Sequence, residues 1–379
     1  MRAPGYTGPR VGPFPTRARE DAAREWEPSA RSPAPPDART GLASTVSKTL
    51  KMLPYNRVVS RLTRVAIVTL ACNLVVILWG AVVRATGSGA GCGSHWPLCN
   101  GVVVPQEASV ATLIELTHRI TSGLALVMVV ALAVACWRGL PKGHAARRAA
   151  FAALVLIVLE AAIGAGLVLF KLVGSNATAA RAAYMGMHLA VTFFLLGSLA
   201  LVALWSHEAP RLRGDRRVGS LFAVACGGLL VVAASGAVAA LGDTLFPAGS
   251  LAAGLRQDLS PASHFLLRLR VLHPLLAVGV AAYLLFLPQL VKAPRLGRAP
   301  RRLGSAVSAL ALAQLAVGAA NLGLLAPVAL QLVHLLLADL LWIAVVLFGA
   351  AALADPRPSL VASAAAREIA ERGRAVRAT

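Results

Sequence analysis

Four histidines stand out by where they fall. His118, His188, His273 and His334 each lie inside an apolar run of about 20 residues, roughly one to two turns from the same end of the run. These runs are the second, fourth, sixth and eighth of eight, and the odd-numbered runs carry no histidine. Ionisable side chains at membrane depth normally face a bundle interior and are retained there for a function. Paired neutral imidazoles, with no carboxylate or thiolate donor set beside them, suit the two axial positions of a haem iron. The flat macrocycle then fills the apolar space between helices. Zinc fits less well, because a closed site needs all four ligands at one point and gives no reason for two separate couples.

Two further features belong to this chemistry. Glu115 precedes His118 by three residues and shares its helical face. A carboxylate at that depth is costly unless protonated or paired, so it is either a proton carrier or the partner of an arginine. The first role makes Glu115 the catalytic candidate, and the second half has Arg270 where it would stand. Cys92 and Cys99 bracket Gly-Ser-His-Trp-Pro-Leu, a spacing that is neither a zinc knuckle nor a Cys-x-x-Cys-His haem attachment. In an outer loop such a pair is a structural disulfide or a redox-cycling couple. Arg84, Arg119, Arg181, Arg268 and Arg270 lie near the same level, where they neutralise haem propionates or snorkel to the interface.

The elements that position these residues must be membrane helices. Of 379 residues, 57% are hydrophobic and 14% are charged, whereas a soluble domain carries about 25% charged residues. The apolar runs are continuous rather than alternating, which excludes a β-barrel. Spans are expected at 64–84, 112–136, 148–170, 183–205, 218–241, 265–288, 302–325 and 328–351. The fold class is therefore an all-α integral membrane bundle of eight transmembrane helices. A net charge of +21 suggests nucleic acid at first sight, but the basic residues fall in short blocks between the spans, so no nucleic-acid partner is expected. All but seven of the 37 Lys and Arg residues lie in segments that face one side if the N-terminus is inside. The charge rule thus puts both termini inside and the Cys92 loop outside.

The chain also reads as a duplication. Gly80-Ala81-Val82 in the first run reappears as Gly236-Ala237-Val238 in the fifth. Glu160-Ala161-Ala162-Ile163-Gly164 in the third matches Gln314-Leu315-Ala316-Val317-Gly318 in the seventh. His118 pairs with His273 and His188 with His334 at similar offsets, which implies two tandem four-helix bundles in the same orientation. The expected domains are a basic disordered tail over 1–63, a first half over 64–210, a second half over 211–351 and a basic tail over 352–379. Residues 1–60 are rich in Pro and Arg without apolar periodicity, which motivates the disordered reading. No cleavable signal peptide is legible, and Glu20, Asp21, Glu25, Glu27 and Asp37 count against a mitochondrial presequence.

Among the remaining polar residues, His95, His144 and His207 read as loop residues. His264 reads as an interfacial residue on the opposite helical face from His273. Cys72, Cys136 and Cys226 read as inert, and Asn73, Glu160 and Asp339 as helix–helix hydrogen-bonding groups. Pro274, directly after His273, is expected to kink the sixth span.

Gly80-Ala-Val-Val-Arg-Ala-Thr-Gly-Ser-Gly89, the Cys92 to Cys99 loop with Trp96-Pro97-Leu98, and Ile114-Glu115-Leu116-Thr117-His118-Arg119 together resemble the haem A synthase family. Gln331-Leu-Val-His334-Leu-Leu-Leu-Ala-Asp339 extends the resemblance through the last span. The resemblance implies an enzyme of cytochrome oxidase assembly that oxidises the C8 methyl of haem O to a formyl group. By that likeness His118 and His188 ligate substrate haem O, His273 and His334 ligate a resident haem b, and Glu115 is the essential carboxylate. Cys92 and Cys99 are then the loop pair of the disulfide-bearing subgroup. The implied setting is the bacterial plasma membrane with the haem sites toward its outer face. The implied partners are a haem O synthase, cytochrome oxidase assembly factors and an electron acceptor the sequence does not identify; self-association stays open. The competing reading is a non-enzymatic bis-histidine dihaem electron carrier, which has no use for Glu115 or the cysteine loop.

Overall fold

The structure is a computed structural model that describes residues 38–206, 212, 214–293 and 296–355, with side chains from residue 58 onward. Two compact units are distinguished: residues 1–51, of which 38–51 are described and helical, and residues 52–379, which hold all eight spans. The helices are α1 (Ala38–Ala85), α2 (Val110–Gly139), α3 (Ala145–Leu169), α4 (Ala179–Trp205), α5 (Arg216–Leu245), α6 (Leu251–Leu259), α7 (Phe265–Arg270), α8 (Leu272–Leu290), α9 (Arg298–Gly323) and α10 (Val328–Ala352). Among the described residues there are no strands, only two isolated β-bridges.

Among the described residues, eight segments are long and apolar enough to cross a bilayer: Val58–Ala85, α2, α3, α4, α5, Phe265–Leu290, α9 and α10. The chain is therefore an all-α, multi-pass membrane protein, and each expected span is present with its ends moved by at most six residues. α1 begins at Ala38, so residues 38–63 are helix, while residues 1–37 and 356–379 lie outside the described residues. His207 does too.

The sixth span is broken rather than kinked. α7 ends at Arg270 and α8 starts at Leu272, with Val271 as the joint. Pro274 explains the break, since it has no N–H to donate to the carbonyl of Arg270 but is tolerated in the first turn of a new helix. His264 is consequently not on the helix that carries His273. It caps α7, its Nδ1 accepting from the Leu266 N–H (3.3 Å), and it packs against Phe246 and Phe265. His144 caps α3 in the same way, accepting from the Ala146 N–H.

Lipid tails give helices no hydrophobic reason to associate, so close packing and small residues must do so. One buried cluster joins α1 to α4 through Leu62, Ala66, Leu132, Ala133, Ala153 and Leu199. A second joins α4, α5, α8, α9 and α10. There the Phe193 ring stacks on Trp342 at 5.0 Å and Phe222 meets Phe348 edge-on at 5.0 Å. Gly197 of α4 and Gly349 of α10 admit these rings at close range. α4 and α10 are the best covered spans, with 50% and 56% of their most apolar stretch buried, against 17% for the first span. These two central helices carry His188 and His334.

Candidate active site

Of the four histidines of the even spans, two meet ring to ring and the other two lie near enough to influence each other's charge. The imidazoles of His273 on α8 and His334 on α10 lie with ring centres 6.3 Å apart and planes nearly perpendicular. His118 on α2 and His188 on α4 lie within electrostatic range of each other.

Each imidazole rests against a glycine of the preceding span. A Cβ on Gly80 would stand 2.9 Å from Cε1 of His118, and one on Gly236 would stand 2.9 Å from Cε1 of His273. For Gly318 and His334 the distance is 3.1 Å, and for Gly164 and His188 it is 3.8 Å. Gly80 and Gly236, and likewise Gly164 and Gly318, are the glycines that the internal repeat matches, so the duplication read from sequence is a duplicated contact in space.

The ring nitrogens have different company. Nδ1 of His118 and of His334 has no hydrogen-bond partner among the described residues, although both atoms are buried. Nδ1 of His273 lies 3.1 Å from the Ser235 hydroxyl. Nδ1 of His188 lies 3.3 Å from Oε1 of Glu160, at ion-pair distance but outside hydrogen-bond alignment. The Thr192 hydroxyl donates to that same carboxylate oxygen. In the other couple, Nε2 of Gln314 stands 3.4 Å from Nε2 of His334. Sequence reasoning set Glu160 aside as a helix–helix group. Its contact with Thr192 does join α3 to α4, but the signal that it also belongs to the site was its place in the repeat, four residues before a histidine-backing glycine.

Glu115 is 3% exposed and fully engaged. Its Oε2 accepts from the Cys92 N–H (2.8 Å), and its Oε1 accepts from Nε (3.1 Å) and Nη2 (2.5 Å) of Arg119. Nη1 of Arg119 donates in turn to the carbonyls of His95 and Leu98, both at 2.6 Å. Cys92 and Cys99 form a disulfide, and both are fully buried. Of the two sequence alternatives for Glu115, the arginine partner is thus observed, and through that pair the acid holds the cysteine loop over the end of α2. Cys72, Cys136 and Cys226 are free.

The arginines at this level are mostly committed to the protein. Arg84 donates to the Ala240 carbonyl, the Thr244 hydroxyl and the Gln331 side chain, Arg181 to the carbonyls of Gly174 and Asn176, and Arg270 to Asp243 and Asp258. Arg268 is exposed. Two expected interhelical groups behave otherwise: Asn73 bonds the Thr69 carbonyl within its own helix, and both carboxylate oxygens of buried Asp339 lack a partner among the described residues.

A family model described as cytochrome oxidase assembly protein matches residues 63–346, which reaches into every span and takes in all four histidines. The chain belongs to that family. A protoheme IX farnesyltransferase of Thermus thermophilus is 49% identical over 296 residues, covering 78% of this chain and 49% of the relative. Heme A synthases of Alkalihalophilus pseudofirmus and Bacillus pumilus are each 36% identical, over 151 and 147 residues. These matches cover 40% and 38% of this chain and 48% and 45% of the relatives. The chain spans about half the length of the curated relatives it matches. Family membership agrees with the expectation drawn from the first-loop and last-span motifs.

Proposed function

We propose that this family member is a haem A synthase, oxidising the C8 methyl of haem O to the formyl group of haem A. The observation that carries the reading is the doubled arrangement of two imidazoles, each backed by a glycine. In this reading the first four spans form one half and the last four the other, as the internal repeat supports, with α4 packing into both buried clusters. His118 and His188 hold the substrate haem O, and His273 and His334 hold a resident haem b.

The residues present fit such groups. Two imidazoles bonded to one iron at about 2 Å each have ring centres about 6 Å apart, close to the 6.3 Å between His273 and His334. The glycines leave each ring edge free of side chain, and Glu160 and Ser235 stand beside Nδ1 of His188 and of His273, as groups that orient a ligating imidazole do. When bound, haem b supplies a redox-active iron that the protein alone lacks. The chain's own residues orient the substrate and manage protons. Glu115, held between Arg119 and the Cys92 backbone three residues from His118, is the group placed to accept a proton released from the substrate.

The membrane is taken to be a bacterial plasma membrane, with both termini inside and the sites toward the outer face, as the charge distribution supports. The farnesyltransferase name of the Thermus relative supports a haem O synthase as the supplying partner. Co-expression with a haem O synthase, followed by chromatography of the bound pigments, tests the proposal. Haem A or haem O beside haem b supports it, and haem b alone indicates the electron carrier instead.

A further inference from the structure

Glu160 and Gln314 occupy equivalent places in the repeat, at an offset of 154 residues, and each lies beside the second histidine of its couple. The two contacts differ in charge and in the ring atom met, Nδ1 in His188 and Nε2 in His334. Glu160 presents a carboxylate 3.3 Å from Nδ1 of His188, and Thr192, one turn beyond His188, donates its hydroxyl to that carboxylate and to the His188 carbonyl. Gln314 presents a neutral amide, its Oε1 lacks a partner among the described residues, and Ala338 stands one turn beyond His334 where Thr192 stands in the first couple.

We infer that Glu160 is a positioning residue that makes His188 the more basic axial ligand, so that the haem in the first couple holds an electron less tightly than the haem in the second. This rests on the ligand assignment given under the proposed function. The physical ground is general. A histidine whose outer N–H faces a carboxylate is a stronger donor to its metal, and negative charge near the iron favours the ferric over the ferrous state. An amide supplies neither effect. The difference sets a direction: one electron leaves ferrous iron in the first couple and reduces ferric iron in the second, with no proton or bond exchanged between the two sites. Electrons withdrawn at the substrate end are thereby drawn toward the second couple.

Redox titration of the full-length, haem-loaded protein tests this, with each transition assigned by the variant, His188→Ala or His334→Ala, that removes it. Glu160→Gln is expected to raise the midpoint of the first transition, by 59 mV for every tenfold loss of ferric preference, and to leave the second in place. Gln314→Glu is expected to lower the second alone, and it decides the matter if Glu160→Gln does not yield folded protein. Should His188→Ala remove the first transition while neither charge variant moves a midpoint, Glu160 is only a helix–helix contact and the inference is wrong. Should His188→Ala leave both transitions intact, the ligand assignment fails and takes the inference with it.

Discussion

The ring of His273 lies so close to the backbone of Gly236 that not even a methyl group fits between them, a built Cβ standing 2.9 Å from Cε1. The relation between Gly80 and His118 is the same, while Gly164 leaves His188 ordinary van der Waals room at 3.8 Å. Close approach of helix backbone and imidazole fixes each ring along the wall of its neighbour.

Alanine scanning of the glycines should therefore divide them. A methyl group forced into packed space costs about 1–3 kcal/mol, which weakens haem retention by roughly 5- to 150-fold where the ring must tilt to admit it. Gly80→Ala should deplete the first haem and Gly236→Ala the second, read as haem per polypeptide and as loss of the low-spin absorption bands. Gly164→Ala should retain both. Equal loss from all three variants would mean that the glycines serve helix packing in general and not the histidines.

The Glu115–Arg119 pair makes a second separation testable. Both side chains are nearly buried, at 4% and 11% exposure, and breaking such a pair from the arginine side strands a carboxylate at a cost of about 3 kcal/mol. Arg119→Gln should release the loop over 86–109, seen as faster limited proteolysis between Gly87 and Ser109. Glu115→Gln keeps an oxygen to accept from the Cys92 N–H, so the loop should stay protected. If Glu115 also takes the substrate proton, this variant should nonetheless lose turnover by about 100-fold. Turnover at the normal rate in a protected Glu115→Gln protein would reduce the acid to a loop anchor.

Much of this is legible in the sequence alone. Span number and type follow from uninterrupted apolar length, which no other structure tolerates in lipid. The histidine couples follow from their restriction to alternate crossings, and the glycines from the offset that matches Gly80 to Gly236. What escaped sequence reasoning was commitment between distant side chains. Nothing local says that Arg84 reaches α5 and α10, that Glu160 faces His188, or that Asp339 faces no partner, because such pairings depend on helix rotation. The break at Val271 was half visible: Pro274 announced a disturbance, but the chain placed it three residues earlier, where the missing N–H is felt.

Arg270 ties the connection between α5 and α8 to the second couple. It stands three residues before His273 and reaches Asp243 at the end of α5 and Asp258 in α6, at 2.6 and 2.5 Å. Asp258→Ala should free α6 while leaving Asp243 to hold Arg270, so hydrogen exchange should quicken across Leu251–Leu259 with little change in the second haem. Arg270→Ala strands two acids and removes the hold next to the α7–α8 joint, so it should also perturb the low-spin spectrum. Identical exchange in α6 for wild type and Asp258→Ala would show that this helix is kept in place by its apolar contacts alone.

Arg84 carries the last prediction because it stands one turn beyond Gly80, and the carbonyl it reaches, that of Ala240, stands one turn beyond Gly236. Its guanidinium also donates to Thr244 of α5 and Gln331 of α10, three acceptors met by one planar fork. A lysine ammonium is a point charge and cannot satisfy this set at once. With each hydrogen bond from a charged group contributing about 1.5–3 kcal/mol, Arg84→Ala should lower thermal stability in detergent markedly and Arg84→Lys should recover only part. Because both glycines share these helices, both haems should become easier to extract in step with that loss. Loss of one haem alone, at unchanged thermal stability, would instead place Arg84 at a single site, as the propionate partner that its sequence position first suggested.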